Sequence, residues 1–282
     1  MNRMDRRALF SSGVAAALLA ASGVSLHAAP RPGGRLRLAL PRQDDALGRL
    51  VRGAAFETLT EIAANGGLQG ELATSWRADA TARNWQITLR SGHRFHDGRQ
   101  LTSRDVADSL LAHRALGHID FAAVRATAPD GIRLDLALGN PDLPILLADP
   151  ALIICAGGQV DLPLYQAVGS GCYRTLRLDS QRHYLGERVL EHHKSGRAGW
   201  LDRVEALVIP DAGVRAEALR DGFVDVAVLP KPGDLRGHGD LVFHPSADNM
   251  VLAMHAGVGK PPLIGASHPL DDGRLAERWW RV

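Results

Sequence analysis

The forty residues from Leu72 to Leu111, LATSWRADATARNWQITLRSGHRFHDGRQLTSRDVADSLL, restrict the fold more than any other part of the chain. Asn84 to Arg90 alternates Trp85, Ile87 and Leu89 against polar neighbours, the period-two pattern of a half-buried strand. His96-Asp97-Gly98 reads as a tight turn, because Asp-Gly supplies the positive φ that other residues resist. Thr102 or Ser103 then caps a helix with Asp105 in its first turn, where the helix dipole favours an anion. Val106, Leu110 and Leu111 give that helix an apolar stripe.

The N-terminus has a different character. Arg3, Arg6 and Arg7 precede an alanine-rich apolar run, Gly13 to Val24, and small residues continue to Ala29. This pattern makes 1–29 a signal peptide, with cleavage expected near Ala28. The run is about a dozen residues, short of the ~20 that a permanent membrane-spanning helix needs. Asp5-Arg6-Arg7-Ala8-Leu9-Phe10 is similar to a twin-arginine signal, and both export routes stay open. Losing Arg3, Arg6, Arg7 and Asp5 takes the 33 basic and 31 acidic residues to 30 of each. The mature chain is therefore near neutral, and nothing in its charge points to nucleic acid or an anionic membrane. Cys155 and Cys172 would meet an oxidising compartment, which opens a disulfide between them without placing their Cα atoms in range.

Further along, Arg35 to Leu40 reads as a first strand and Leu47 to Ile62 as one helix with an apolar face. Strands follow around Val124 and over Ile132 to Leu138, then a short helical piece at Leu143 to Leu147 and a strand at Leu152 to Cys155. Val204 to Ile209, Ala212 to Arg220 with Asp211 as N-cap, and Val224 to Leu229 form a strand–helix–strand unit, so part of the sheet is expected to be parallel. Met250 to Met254 reads as a further strand.

The order of words in residues 72–111, "LA-SW … W-ITLR-G-RFHDG--LT--DV--S", closely resembles the signature of the family 5 extracellular solute-binding proteins, the periplasmic receptors of peptide, oligopeptide and nickel ABC importers. Three further words are similar to that family's: Val168 to Tyr173 to "VGTGPY", with Cys172 in place of proline; Trp200 to Leu229 to its "-LD-I----IPD-----AL--GE-D-" phrase; and Pro269 to Leu275 to "PFDDVRVRQAL". The resemblance covers 35–282 and implies an α/β, type II periplasmic-binding-protein-like lobe: a mixed sheet flanked by helices, with a small β-rich insertion. The main subdomain is expected at 30–65 and 156–262 and the inserted subdomain at 66–155. The tail 263–282 is expected where lobe two would begin, that second lobe being missing.

Candidate site residues follow from this frame. Arg42, Gln43, Asp44 and Asp45 come after the first strand at its C-terminal end, which in open α/β folds faces the ligand crevice. Asp44 and Asp45 are the groups expected to meet a peptide's amine. His93, His96, His192 and His193 raise the question of a metal, since imidazole suits nickel. They lie on strand-to-turn segments, and the expectation is surface or turn-stabilising histidines with no metal ligand among them. Trp76 and Trp85 are expected in the core; of Trp279 and Trp280, on a final short helix, one is expected to be exposed as a contact surface. No Gly-x-Ser-x-Gly elbow, Walker A, HExxH or CxxC motif is present, so neither an enzyme nor a cofactor is expected. The expected function is a periplasmic receptor that binds a peptide or other small solute and presents it to an ABC permease in the inner membrane. The alternative is a repurposed single lobe that binds a protein partner or a second copy of itself.

Overall fold

The computed structural model describes residues 30–63, 65–114, 120–179, 181–231, 235, 240–245, 251–260 and 274–282. The expected signal peptide and most of Pro269 to Leu275 lie outside these. In chain order the elements are β1 (Arg35–Leu40), α1 (Ala46–Ala55), β2 (Thr60–Ile62), β3 (Leu68–Gly70), β4 (Ala73–Ala78), β5 (Asn84–Leu89), α2 (Ser103–Arg114), β6 (Phe121–Ala128), β7 (Gly131–Leu136) and α3 (Leu143–Leu146). They continue as β8 (Tyr173–Asp179), β9 (His183–Arg188), β10 (Arg203–Val208), α4 (Ala212–Arg220), β11 (Val226–Leu229), β12 (Leu241–Pro245), β13 (Val251–His255), β14 (Val258–Gly259), α5 (Leu275–Arg278) and β15 (Trp280–Arg281).

The main sheet has seven strands in the order β12-β13-β11-β1-β10-β9-β8. Its centre is parallel: β1 pairs with β10 over its whole length and with β11 at Leu38 and Ala39, while the outer pairings are antiparallel. Alternation in β1 explains its central place. Leu36, Leu38 and Leu40 face a core that includes α1, Tyr173 and Trp279, whereas Ala39 faces a second layer with Leu219 of α4. Arg37, on the same side as Ala39, forms an ion pair with Asp225 at 2.9 Å. Burial pushes the Asp225 carboxyl up, but hydrogen bonds from the Arg37 side chain and backbone outweigh it and hold the group below its usual range.

A separate four-stranded antiparallel sheet, β4-β5-β7-β6, carries α2 and its own core, which includes Trp85, Ile87, Phe121 and Leu134. The segment of residues 72–111 folds as its pattern requires. Gly98 has φ +86°, and Thr102 and Asp105 cap α2 reciprocally, with Asp105 Oδ2 accepting from the Thr102 N–H at 2.9 Å and Thr102 Oγ1 from the Asp105 N–H at 3.3 Å.

Three expectations need correction. The helix expected over Leu47 to Ile62 ends at Ala55; Phe56 turns to extended backbone (φ −125°, ψ 164°), and the β-branched Thr60 and Ile62 lie in strand β2. The strand expected at Leu152 to Cys155 is reduced to one bridge, Ile154 to Glu57. Trp279 and Trp280 are both buried, because α5 stops at Arg278 and the two indoles do not share a helix. Trp279 enters the main core, while Trp280 lies in β15 over Gly259, where a Cβ would sit 1.9 Å from its indole Nε1.

Gly169 and Gly171 are needed for close approach. A Cβ would lie 2.1 Å from the Ala55 carbonyl oxygen at 169 and 2.6 Å from that of Ala54 at 171, so this loop presses against the last turn of α1. Gly169→Ala is expected to cost about 1–3 kcal/mol by overpacking, read as a lower urea midpoint. Gly257→Ala, with nothing within 4 Å of its Cβ position, should leave that midpoint in place.

Candidate functional site

Between the two cores the chain crosses from one to the other within four residues: Phe56 belongs to the first, Leu59 to the second, and Glu57 and Thr58 are buried between them. Glu57 is fully buried and ionised, and its four close partners come from three other segments. His93 Nε2 lies 2.6 Å from Oε2, and Ser170 Oγ donates to the same oxygen at 2.7 Å. His193 Nε2 is 2.5 Å and His192 Nε2 3.5 Å from Oε1. Burial pushes the Glu57 carboxyl up, but hydrogen bonds from His192, His193 and His93 outweigh it and hold it well below the usual range. Burial lowers His192 too, yet Glu57 overrides it and raises this imidazole; His193 and His96 stay lowered by burial. The expectation of surface or turn-stabilising histidines holds only in part: His96 Nε2 reaches the Gly171 carbonyl oxygen at 2.8 Å, while His93, His192 and His193 are drawn inward by the buried Glu57. Sequence reasoning missed this because Glu57, His93 and His192 are separated along the chain and only the fold joins them.

A second polar cluster adjoins the first through Lys194. Lys194 Nζ contacts Glu61 at 3.0 Å, Glu277 at 2.8 Å and Glu71, all nearly fully buried. Arg274 also pairs with Glu71, and Arg278 with Glu61 at 3.3 Å. Three carboxylates therefore meet three cations, a balance that makes the burial tolerable. Burial raises the Glu61 carboxyl, but Lys194, Arg274 and Arg278 outweigh it and bring it down to about 2. Burial pushes Glu71 the other way, up to about 7; with two cations and two Thr58 donors on its oxygens, the carboxylate is the form that fits this geometry.

Arg42, Gln43, Asp44 and Asp45 occupy a 3-10 turn after β1, at the opposite end of α1 from Glu57. Arg42, Gln43 and Asp45 are exposed. Asp45 has φ +51° and pairs with Arg52 at 2.8 Å, so it takes up the left-handed conformation that non-glycine residues rarely hold. The Cys155–Cys172 disulfide that the sequence left open is not formed: both thiols are free and buried. They are held by different partners, the Cys155 N–H by Ser109 Oγ at 3.1 Å and Cys172 Sγ beside His192 Nδ1 at 3.4 Å. Burial pushes Cys155 up to about 12 and Cys172 well above its ordinary value, so neither is a reactive thiolate.

A mixed α/β sheet with a β-rich unit attached is the architecture of one lobe of a bilobal binding protein. It superposes on DppA of Helicobacter pylori in complex with the peptide STSA, with a TM-score of 0.66 at 22% identity over 77% of this chain and 51% of that one. NikA of Staphylococcus aureus in complex with Ni(L-His)2 gives 0.63 at 19% identity over 74% and 47%. The sequence model of the bacterial extracellular solute-binding proteins, family 5, matches residues 67–263, and the chain belongs to that family. Among curated proteins it is 34% identical over 164 residues to the HTH-type transcriptional regulator SgrR of Pectobacterium atrosepticum. The chain spans about half the length of the matched structures and 28% of that regulator. No helix among the described residues is long and apolar enough to cross a membrane.

Lys194→Met would leave three buried carboxylates facing two guanidinium groups, and a loss of about 3–5 kcal/mol is expected in urea unfolding. Acid should act through Glu61. Its folded value lies below its ordinary 4.5, so its contribution is full above that pH and is lost as pH falls toward 2. Unfolding free energies measured across this window should fall by up to about 3 kcal/mol on its account.

Proposed function

We propose that this chain is the first lobe of a periplasmic solute-binding protein of the ABC-importer type, which binds a peptide-type ligand non-covalently and without catalysis. The observation that carries the reading is the superposition on a peptide-bound receptor, together with family membership. In this reading the ligand meets the turn after β1. Asp44 and Asp45 receive the peptide's amine and Arg42 and Gln43 take its polar groups, in a crevice at the carboxyl ends of the parallel strands. The strained φ of Asp45 supports this, since such strain persists where a site requires it. Export by residues 1–29 and delivery to an inner-membrane permease complete the reading.

A second reading is a protein-interaction module or homodimer without transport. One observation favours it: the curated relative is named as a transcriptional regulator, so a segment of this type is not confined to receptors. The buried Trp279 and Trp280 offer this reading no contact surface.

Thermal unfolding against a panel of di- and oligopeptides separates the two. The receptor reading predicts a raised Tm with at least one peptide, and about tenfold weaker binding in an Asp44→Asn, Asp45→Asn variant, the order expected for one lost charged contact. No stabilisation by any peptide, with a concentration-dependent dimer in sedimentation, contradicts it.

A further inference from the structure

Three imidazoles and one carboxylate converge at the junction of the two sheets. Glu57, His93, His192 and His193 each offer one ligand-type atom, and these four atoms lie within 4.8 Å of one another. The rings stand close, with centroids 4.5 Å apart for His192 and His193, 5.1 Å for His93 and His193, and 5.5 Å for His93 and His192. His93 and His193 hold Nε2 2.6 and 2.5 Å from this carboxylate, while His192 Nε2 stands 3.5 Å from it and 3.0 Å from the Ser170 carbonyl oxygen. In the hydrogen-bonded arrangement His193 Nδ1, buried, has no partner. A carboxylate that only had to be satisfied would not need this third ring.

From this geometry we infer that Glu57, His93, His192 and His193 form a structural site for a divalent transition ion of the zinc type, one that fastens the four-stranded sheet to the seven-stranded one. The donor set, three imidazole nitrogens and one carboxylate oxygen, is of borderline softness and suits a tetrahedral zinc-type ion. Four protein ligands leave no open position, which marks a structural site rather than a catalytic one. The ion replaces the hydrogens that His93 and His193 Nε2 hold toward Glu57 and that His192 Nε2 holds toward the Ser170 carbonyl oxygen; each imidazole carries that proton on Nδ1 instead or releases it to water. For His192, Nδ1 now accepts the Lys194 backbone N–H at 3.2 Å beside Cys172 Sγ at 3.4 Å, so coordination through Nε2 requires that N–H to turn away as Nδ1 takes the proton. An approach exists, because His192 and Cys172 line a hollow of about 250 Å³ that also includes Ser195 and Trp200.

The ligands come from three places: Glu57 after α1, His93 before the His96 turn beside β5, and His192 and His193 on the connection from β9 to β10. An ion there joins segments that the backbone holds together only through the bridge of Glu57 to Ile154 and hydrogen bonds such as His96 N–H to the Gly169 carbonyl oxygen. The site lies at the other end of α1 from the turn of residues 42–45, and the inference does not rest on the peptide-receptor reading.

The test uses the purified chain freed of metal by chelation, with Zn2+ and Co2+ as probes. One Zn2+ per chain should survive gel filtration and raise the Tm, and Co2+ should give the visible bands of a four-coordinate site. His193→Ala and His93→Gln, each checked for folding by circular dichroism, should weaken Zn2+ binding at least about tenfold. His255→Ala, on β13, should leave it unchanged. Substoichiometric Zn2+, or affinity unaltered in both His193→Ala and His93→Gln, overturns the inference. The peptide panel run with and without Zn2+ keeps its failure apart from that of the receptor reading.

Discussion

The ammonium group of Lys194, buried against Glu61, Glu71 and Glu277, is the interaction on which the rest of the structure depends. Its partners come from β2, the link between β3 and β4, and α5, so one cation gathers the start of the inserted unit and the C-terminal segment. Arg274 and Arg278 complete the charge balance from the C-terminal side. Unpaired, any one of these charges would be costly in such surroundings; among the described residues each has a partner of opposite sign, so removing one leaves another buried without its match. The C-terminal segment is thereby committed to this unit: Glu277 and Trp279 are fully buried and β15 pairs with β14.

Much of the fold was legible because its signals are local. The alternation of Asn84 to Leu89, the Asp97-Gly98 turn, the cap at Thr102 and the N-cap Asp211, whose Oδ1 accepts from the Val214 N–H at 2.9 Å, each depend on neighbours a few residues away. What was not legible depends on distant contacts. The end of α1 at Ala55 is set by the glycine loop of residues 169–171 pressing on its last turn, more than a hundred residues away. The burial of both tryptophans depends on where α5 stops and on space over Gly259.

The same distinction applies to the site. Arg42 to Asp45 stand out in the sequence because a loop after a first central strand has a known place in such folds; the structure places them on a turn after β1, with Arg42, Gln43 and Asp45 exposed. Glu57 lies in the stretch that reads as one helix, and a lone glutamate among apolar residues gives no sign of being buried. His192 and His193 looked like a surface pair until β9 and β10 folded their connection over Glu57. Burial of a carboxylate then makes sense of the histidines, and the described residues include two distinct polar regions: the turn after β1 and the buried junction between the two cores.

The central claim is that the Lys194 cluster binds the C-terminal segment and the junction into one cooperative body. Native-state hydrogen exchange under increasing urea tests it most directly. The amides of Leu72 and Ala73, bonded to the carbonyls of Thr58 and Leu59, and those of Glu277 and Arg278, bonded to Arg274, should open with one shared free energy. Exchange of residues 274–282 at the rate of an unstructured peptide, while Leu72 and Ala73 stay protected, would contradict the account.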